Sequence, residues 1–117
     1  MNRREVGRAG EDLAVQALTG AGYTILERNY RRRTGEIDIV AREGEVLAFV
    51  EVKARSSRRY GSPAEAVGRV KQRRIIQAAR LYLAEHGLEE VPCRFDVVEV
   101  LQGQVNLLKG AFDATED

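Results

Sequence analysis

Residues 35–55, reading G-E-I-D-I-V-A-R-E-G-E-V-L-A-F-V-E-V-K-A-R, constrain this chain more than any other stretch. Two runs rich in Ile, Val, Leu and Phe flank Glu43-Gly44-Glu45, the sequence pattern of a β-hairpin with mostly buried strands. Three charged residues, Asp38, Glu51 and Lys53, nevertheless stand inside those runs, where an unpaired charge is costly. With Gly44 and Glu45 as a two-residue turn, Glu43 pairs with Val46 and Arg42 with Leu47, and the ladder carried back sets Asp38 opposite Glu51. A turn at Glu43-Gly44 instead pairs Asp38 with Phe49 and leaves Glu51 diagonal to it, about 7–8 Å away. Either register puts both acids on one sheet face, and a bulge would undo either. Directly opposed Cβ atoms lie about 4.5–5.5 Å apart, so two carboxylates there repel. A hard divalent cation fits such a pair, because Mg²⁺ takes carboxylate oxygens and water in preference to nitrogen or sulfur. Strand alternation turns Lys53, two residues after Glu51, toward the same site.

A length of 117 residues is enough for one core and predicts a single domain over 1–117. No apolar run approaches the roughly 18–20 residues of a membrane span. The start, Met-Asn-Arg-Arg-Glu, has no apolar h-region, so a cytoplasmic protein without membrane contact is expected. One cysteine, Cys93, and one histidine, His86, exclude an internal disulfide, a Cys/His zinc cluster and an ordinary Cys-His pair. Cys93 reads as a small buried residue at a strand start, and His86, beside Gly87, as a helix-end cation or cap donor. The charge is unevenly spread. Residues 1–80 carry seventeen Lys/Arg against ten Asp/Glu, while residues 81–117 carry two against eight. That distribution suggests one side facing a polyanion, with a solvated charged face as the plainer alternative.

Val6, Gly10, Leu13, Ala14, Ala17 and Leu18 recur at helical spacing and predict a first helix ending near Gly20 to Gly22, with Glu11 beside the apolar stripe. Gly7 and Gly10 each cost about 1 kcal/mol relative to Ala in a helix interior, which points to close backbone approach or a frayed first turn. A loosely alternating strand follows over 23–30. Arg31-Arg32-Arg33-Thr34-Gly35 reads as a basic loop placed to contact phosphates. Residues 55–63, with Arg55, Arg58 and Arg59, read as a loop at the mouth of the site. Ser62 as N-cap, Pro63 at N1 and Glu65 in the first turn predict the start of a second helix. Its apolar side is Val67, Val70, Ile75, Ala78, Ala79 and Tyr82, and Arg69, Lys71, Arg73 and Arg74 form a basic face. Strands over 94–101 and 105–108, turned at Gln102-Gly103, complete the chain. Asp96 near the start of the first is either a further ligand or the partner of an Arg. The order is α-β-β-β-α-β-β, an α+β mixed sheet covered by helices.

An Asp, a gap and Glu-x-Lys on adjacent strands is the PD-(D/E)xK constellation of metal-dependent nucleases, met here as Ile37-Asp38 and Glu51-Val52-Lys53. Glu-x-Lys alone is common in charged strands. The weight comes from its setting between a helix bearing Glu11 and a basic second helix. Over almost its whole length the chain resembles the YraN-like proteins of bacteria. The resemblance runs through Gly7-x-x-Gly10-Glu11, Gly22-Tyr23-x-Ile25-Leu26-x-Arg28-Asn29-Tyr30, Gly35-Glu36-Ile37-Asp38, Val50-Glu51-Val52-Lys53-x-Arg55, Gly61-Ser62-Pro63-x-Glu65-Ala66-Val67, Lys71-Gln72-Arg73-Arg74 and Arg94-Phe95-Asp96-Val97-Val98. It implies a restriction-endonuclease-like fold similar to that of archaeal Holliday-junction resolvases. It also implies Glu11, Asp38, Glu51 and Lys53 as catalytic residues, and the Val52 carbonyl as a metal ligand beside Asp38 and Glu51. The expected cofactor is Mg²⁺ or Mn²⁺, and the expected partner is nucleic acid, DNA before RNA, held by Arg31, Arg32, Arg33, Arg55, Arg58, Arg59, Lys71, Arg73 and Arg74. The expected activity is hydrolysis of phosphodiester bonds in structured or branched DNA. The alternatives are a binding module of the same fold that does not cleave usefully, and an interaction protein docking through its acidic C-terminal part. Oligomeric state stays open, a homodimer included.

Overall fold

Both apolar runs of the central stretch form strands, joined by a two-residue turn at Gly44 and Glu45, with Gly44 at a φ of 59°. The computed structural model describes residues 3–57, 61 and 67–114, with side chains from residue 8 onward. Along the chain run helix α1 (Arg3–Gly20), strands β1 (Thr24–Arg32), β2 (Gly35–Glu43) and β3 (Val46–Arg55), helix α2 (Arg69–His86), and strands β4 (Cys93–Leu101) and β5 (Gln104–Phe112). This is the expected α-β-β-β-α-β-β order. The strands form one mixed sheet in the order β1-β2-β3-β4-β5, parallel between β3 and β4 and antiparallel elsewhere. A parallel pair needs a crossover, and α2 supplies it.

Each face of the sheet is covered by one helix. Ile75, Ala79 and Tyr82 of α2 pack with Tyr30, Ile37, Phe49, Phe95 and Val97. The rings of Phe49 and Tyr82 meet edge to face, with centroids 5.9 Å apart. Ala14 and Leu18 of α1 pack on the other face with Tyr23, Ile39, Ala41, Val50 and Val98. Full burial of each large side chain stabilises the fold by about 1.5–3 kcal/mol. Gly10 explains itself by close approach: a Cβ there would stand 2.9 Å from the Cβ of Ala54 on β3. Val6 and Gly7 lie outside the residues whose side chains are described.

The hairpin takes the Gly44-Glu45 register, from Glu43–Val46 through Arg42–Leu47 to Ile39–Val50. The ladder then stops. Ile37 and Ile39, two residues apart, belong to opposite cores, so the side-chain alternation breaks at Asp38. At the same level of β1, between the Arg28–Ile39 and Tyr30–Ile37 partners, Asn29 has a φ of 55°. The sheet is thus irregular where its charged residues stand.

Several expectations need correction. Arg31 and Arg32 belong to β1, opposite Glu36 and Gly35, and only Arg33 and Thr34 form the turn. Their charges are accommodated in an edge strand because Arg31 pairs with Glu36, while Arg32 pairs with Glu85 and lies over the Tyr30 ring. Among the described residues α2 opens at Gly68, not Ser62, because Val67 is buried in the core and its carbonyl accepts the Gln72 side-chain amide. Ser62, Pro63 and Glu65 lie outside the described residues. Strand β5 continues past Leu108 to Phe112, which stacks on Phe95. Cys93 begins β4 as expected but is exposed. No helix among the described residues is long and apolar enough to cross a membrane.

Candidate metal and phosphate site

The break at Asp38 is filled by its own side chain. Asp38 Oδ2 accepts the Val52 N–H at 2.8 Å, so a carboxylate takes the place of a ladder carbonyl. This bond holds Asp38 against β3 next to Glu51, in a cleft of about 930 Å³ that Glu11, Lys53 and Lys71 also line. All four residues of the motif therefore converge, Glu11 from α1, Asp38 from β2, and Glu51 and Lys53 from β3. Burial, and then the charge of Glu51, push the Asp38 carboxyl up to about 7 against the opposing pull of the Val52 N–H, and Glu11 adds to the rise. Two acids held this close favour a shared positive charge.

That charge comes from α2. Lys71 Nζ lies 2.9 Å from Glu51 Oε1, and Glu51 is only 4% exposed. Burial alone would lower the ammonium's proton affinity, but its bond to Glu51 and the charges of Glu51 and Asp38 hold it above the ordinary lysine range. Lys53, by contrast, is half-buried and makes no ion pair among the described residues. Glu11 accepts from Arg28 Nε and Asn29 Nδ2, each at 3.0 Å. Asn tolerates the left-handed backbone that Asn29 adopts, and this turn of the strand aims its amide at Glu11.

A model of the uncharacterised protein family UPF0102 matches residues 10–100. The chain belongs to the UPF0102 family. It is 54% identical over 116 residues to a UPF0102 protein of Symbiobacterium thermophilum, covering 95% of this chain and 98% of the relative. It is 51% identical over 115 residues to one of Lachnoclostridium phytofermentans, covering 97% and 98%. A third, from Caldicellulosiruptor saccharolyticus, is 43% identical over 118 residues, covering 96% of this chain and the whole relative. The stretch matched by the UPF0102 model contains the whole carboxylate and lysine cluster, from Glu11 to Lys71, and stops before β5.

No three carboxylate, imidazole or thiol side chains of this UPF0102 chain stand together as a ready ligand set among the described residues. The donors still fit a hard divalent ion. Mg²⁺ is commonly held by one or two carboxylates, with substrate phosphate and water completing its shell. Asp38 and Glu51 supply two carboxylates, Val52 lines the same cleft, and a cation already stands beside Glu51.

The expected basic rim is only partly assembled. Arg31, Arg32, Lys71 and Arg74, joined by Arg69, line a second cavity of about 740 Å³ that shares Arg31, Glu36 and Lys71 with the first. Arg33 and Arg73 are exposed and line neither. Arg55 is turned elsewhere. Its guanidinium donates to Glu99 Oε2 at 2.8 and 3.1 Å and to the Gly61 carbonyl, because Glu99 is fully buried and needs a counter-charge. Arg58 and Arg59 lie outside the described residues. Asp96 proves to be the partner of an Arg: it accepts from Arg94, the Tyr23 hydroxyl and the Gly110 N–H, and does not line the cleft.

Sequence reasoning assigned Lys71 to the phosphate-facing side of α2 and missed its bond to Glu51. The signal was present. Lys71, Ile75, Ala78 and Tyr82 fall at i, i+4, i+7 and i+11, so Lys71 continues the buried stripe. Arg28 and Asn29 were also missed, and only the tolerance of Asn for a left-handed backbone hints at their place.

Proposed function

We propose that this UPF0102 protein is a divalent-cation-dependent nuclease acting on structured or branched DNA. The observation that carries the reading is the convergence of Glu11, Asp38, Glu51 and Lys53 in one cleft bordered by arginines. Asp38, Glu51 and the Val52 carbonyl would hold the ion, which when bound supplies Lewis-acid polarisation of a phosphoryl oxygen and a water of lowered pKa. The protein's own part is positional. Lys53, whose ammonium makes no ion pair among the described residues, orients an attacking water and stabilises negative charge developing on the phosphoryl oxygens. The N–H of Val52 keeps Asp38 in place. Glu11, fixed by Arg28 and Asn29, adds a third negative charge on the α1 side. Arg31, Arg69 and Arg74 offer guanidinium groups to the DNA backbone, where cationic contacts set position and not sequence.

A second reading is a nucleic-acid-binding module without useful cleavage. The Lys71–Glu51 bond supports it, since Glu51 already has a counter-charge. Cleavage assays over branched, single-stranded and duplex DNA with Mg²⁺ or Mn²⁺ separate the two. The nuclease reading requires cation-dependent cleavage of at least one substrate by the wild type and its loss in Glu51→Gln with binding retained. Equal binding by both, with no cleavage under any cation, leaves the binding module.

A further inference from the structure

We propose that Lys71 is a displaceable counter-ion, holding Glu51 when no divalent cation is bound and passing to a nucleic-acid phosphate when one is. The inference rests on the nuclease reading and deepens it by making cation and polyanion binding mutually reinforcing. Glu51 is almost wholly buried, and an uncompensated buried carboxylate is strongly destabilising. Lys71 supplies the missing charge, at 2.9 Å.

The two partners are unlike in freedom. The Lys71 side chain is 44% exposed, against 4% for Glu51, so the lysine has a way out and the acid has none. A divalent ion at Asp38 and Glu51 would stand beside the ammonium and repel it, and the exit is already lined. Lys71 borders both cavities, and the second, beyond it, is walled by Arg69 and Arg74. A phosphate drawn to those guanidinium groups offers the departing ammonium a new partner within the same wall. Lys53 cannot play this part, because no ion pair among the described residues ties it to a carboxylate.

Through this exchange each ligand raises the affinity for the other by one common factor. Lys71 is therefore a positioning residue whose role is read by binding alone. Mn²⁺ affinity of the full chain is measured by calorimetry, with and without a fluorescent four-way DNA junction, in a Lys53→Ala background where the junction stays intact. Without DNA, Lys71→Met should tighten Mn²⁺ binding by about tenfold, because a neighbouring like charge is gone. Mn²⁺ should strengthen junction binding in the parent protein, and the enhancement should shrink in Lys71→Met and persist in Lys71→Arg. Lys71→Gln, which keeps a hydrogen-bond donor toward Glu51, replaces the Met variant if that one melts at working temperature. Unchanged or weakened Mn²⁺ affinity without DNA, or an equal enhancement with and without the lysine, overturns the exchange and leaves the nuclease reading standing. Wild-type protein that takes up no Mn²⁺, with or without DNA, sinks both.

Discussion

The Asp38 carboxylate accepts the backbone N–H of Val52 at 2.8 Å, just beyond the last true ladder pair of the hairpin, Ile39 with Val50. A side chain thus does the work of a main-chain carbonyl. The bond joins the two strands that carry the acids and holds one acid beside the other.

Stability without added cation should depend on the Asp38 proton. Its carboxyl rises from an ordinary 3.8 to about 7, so between those values the native chain keeps a proton that the unfolded chain has lost. The stabilising contribution is complete below the unfolded value and disappears as pH rises through about 7. Melting temperature should fall across that window in the wild type and less in Asp38→Asn, and Mg²⁺ at pH 8 should raise it only in the wild type. Parallel melting curves for the two proteins at every pH would refute this.

Lys53→Ala should abolish cleavage and leave Mn²⁺ binding largely intact, because an ammonium is not a ligand and this one makes no ion pair among the described residues. Calorimetry and a cleavage assay on the same preparation check it. Loss of Mn²⁺ binding would show that Lys53 shapes the carboxylate pair instead.

Gly35→Ala should destabilise the fold by about 1–3 kcal/mol, the usual range for overpacking. A Cβ at Gly35 would stand 2.4 Å from the Arg74 carbonyl oxygen, so backbone must move against backbone. Arg74 lies one turn from Lys71, so the variant should also weaken the lysine's hold on Glu51. Gly20→Ala, with open space around its Cβ, is the control, and urea titration of both should show a difference of at least about 1 kcal/mol.

Two arginines of the expected interface should separate. Arg31 lines both cavities, and its pair with Glu36 is exposed and worth little. Arg31→Ala should reduce the slope of log affinity against log salt by about 0.9 on duplex DNA and barely change stability. Arg55→Ala should do the reverse. It removes a guanidinium that donates to fully buried Glu99, which also accepts from Asn106, and should lower the melting temperature while leaving the slope alone. Equal salt slopes for Arg31→Ala and wild type would remove Arg31 from the interface.

The hairpin was legible because Gly44 marks a turn between two apolar runs, whereas its register stood open between two neighbouring turns until the Glu43–Val46 pairing chose one. The Arg94–Asp96 pair could be read for a similar reason, since a buried carboxylate demands a cation nearby. What escaped was long-range. Nothing near Arg55 in sequence announces Glu99, forty-four positions away. Arg31 and Arg32 look like a loop because consecutive charges seldom extend a strand, yet Glu36 and Glu85 meet them there. The break at Asp38 was illegible for a local reason: a side chain competing with its own ladder leaves no mark in hydrophobic periodicity.

Strand order in the sheet matches strand order in the chain, and of the four strand pairs only β3 with β4 lacks a short turn. Closing that long connection carries the largest entropic cost of any pairing here, and pairings of high sequence separation are slow to form. We expect the β1–β2–β3 meander and the β4–β5 hairpin to gain amide protection first in pulse-labelling refolding, with β3–β4 protection last. Simultaneous protection throughout would exclude this order. Asp38 and Glu51 belong to the early unit, and Lys71 arrives with the late crossover. A half-folded chain would thus carry two facing acids without their lysine, and the site would come into being only as the last step of folding is completed.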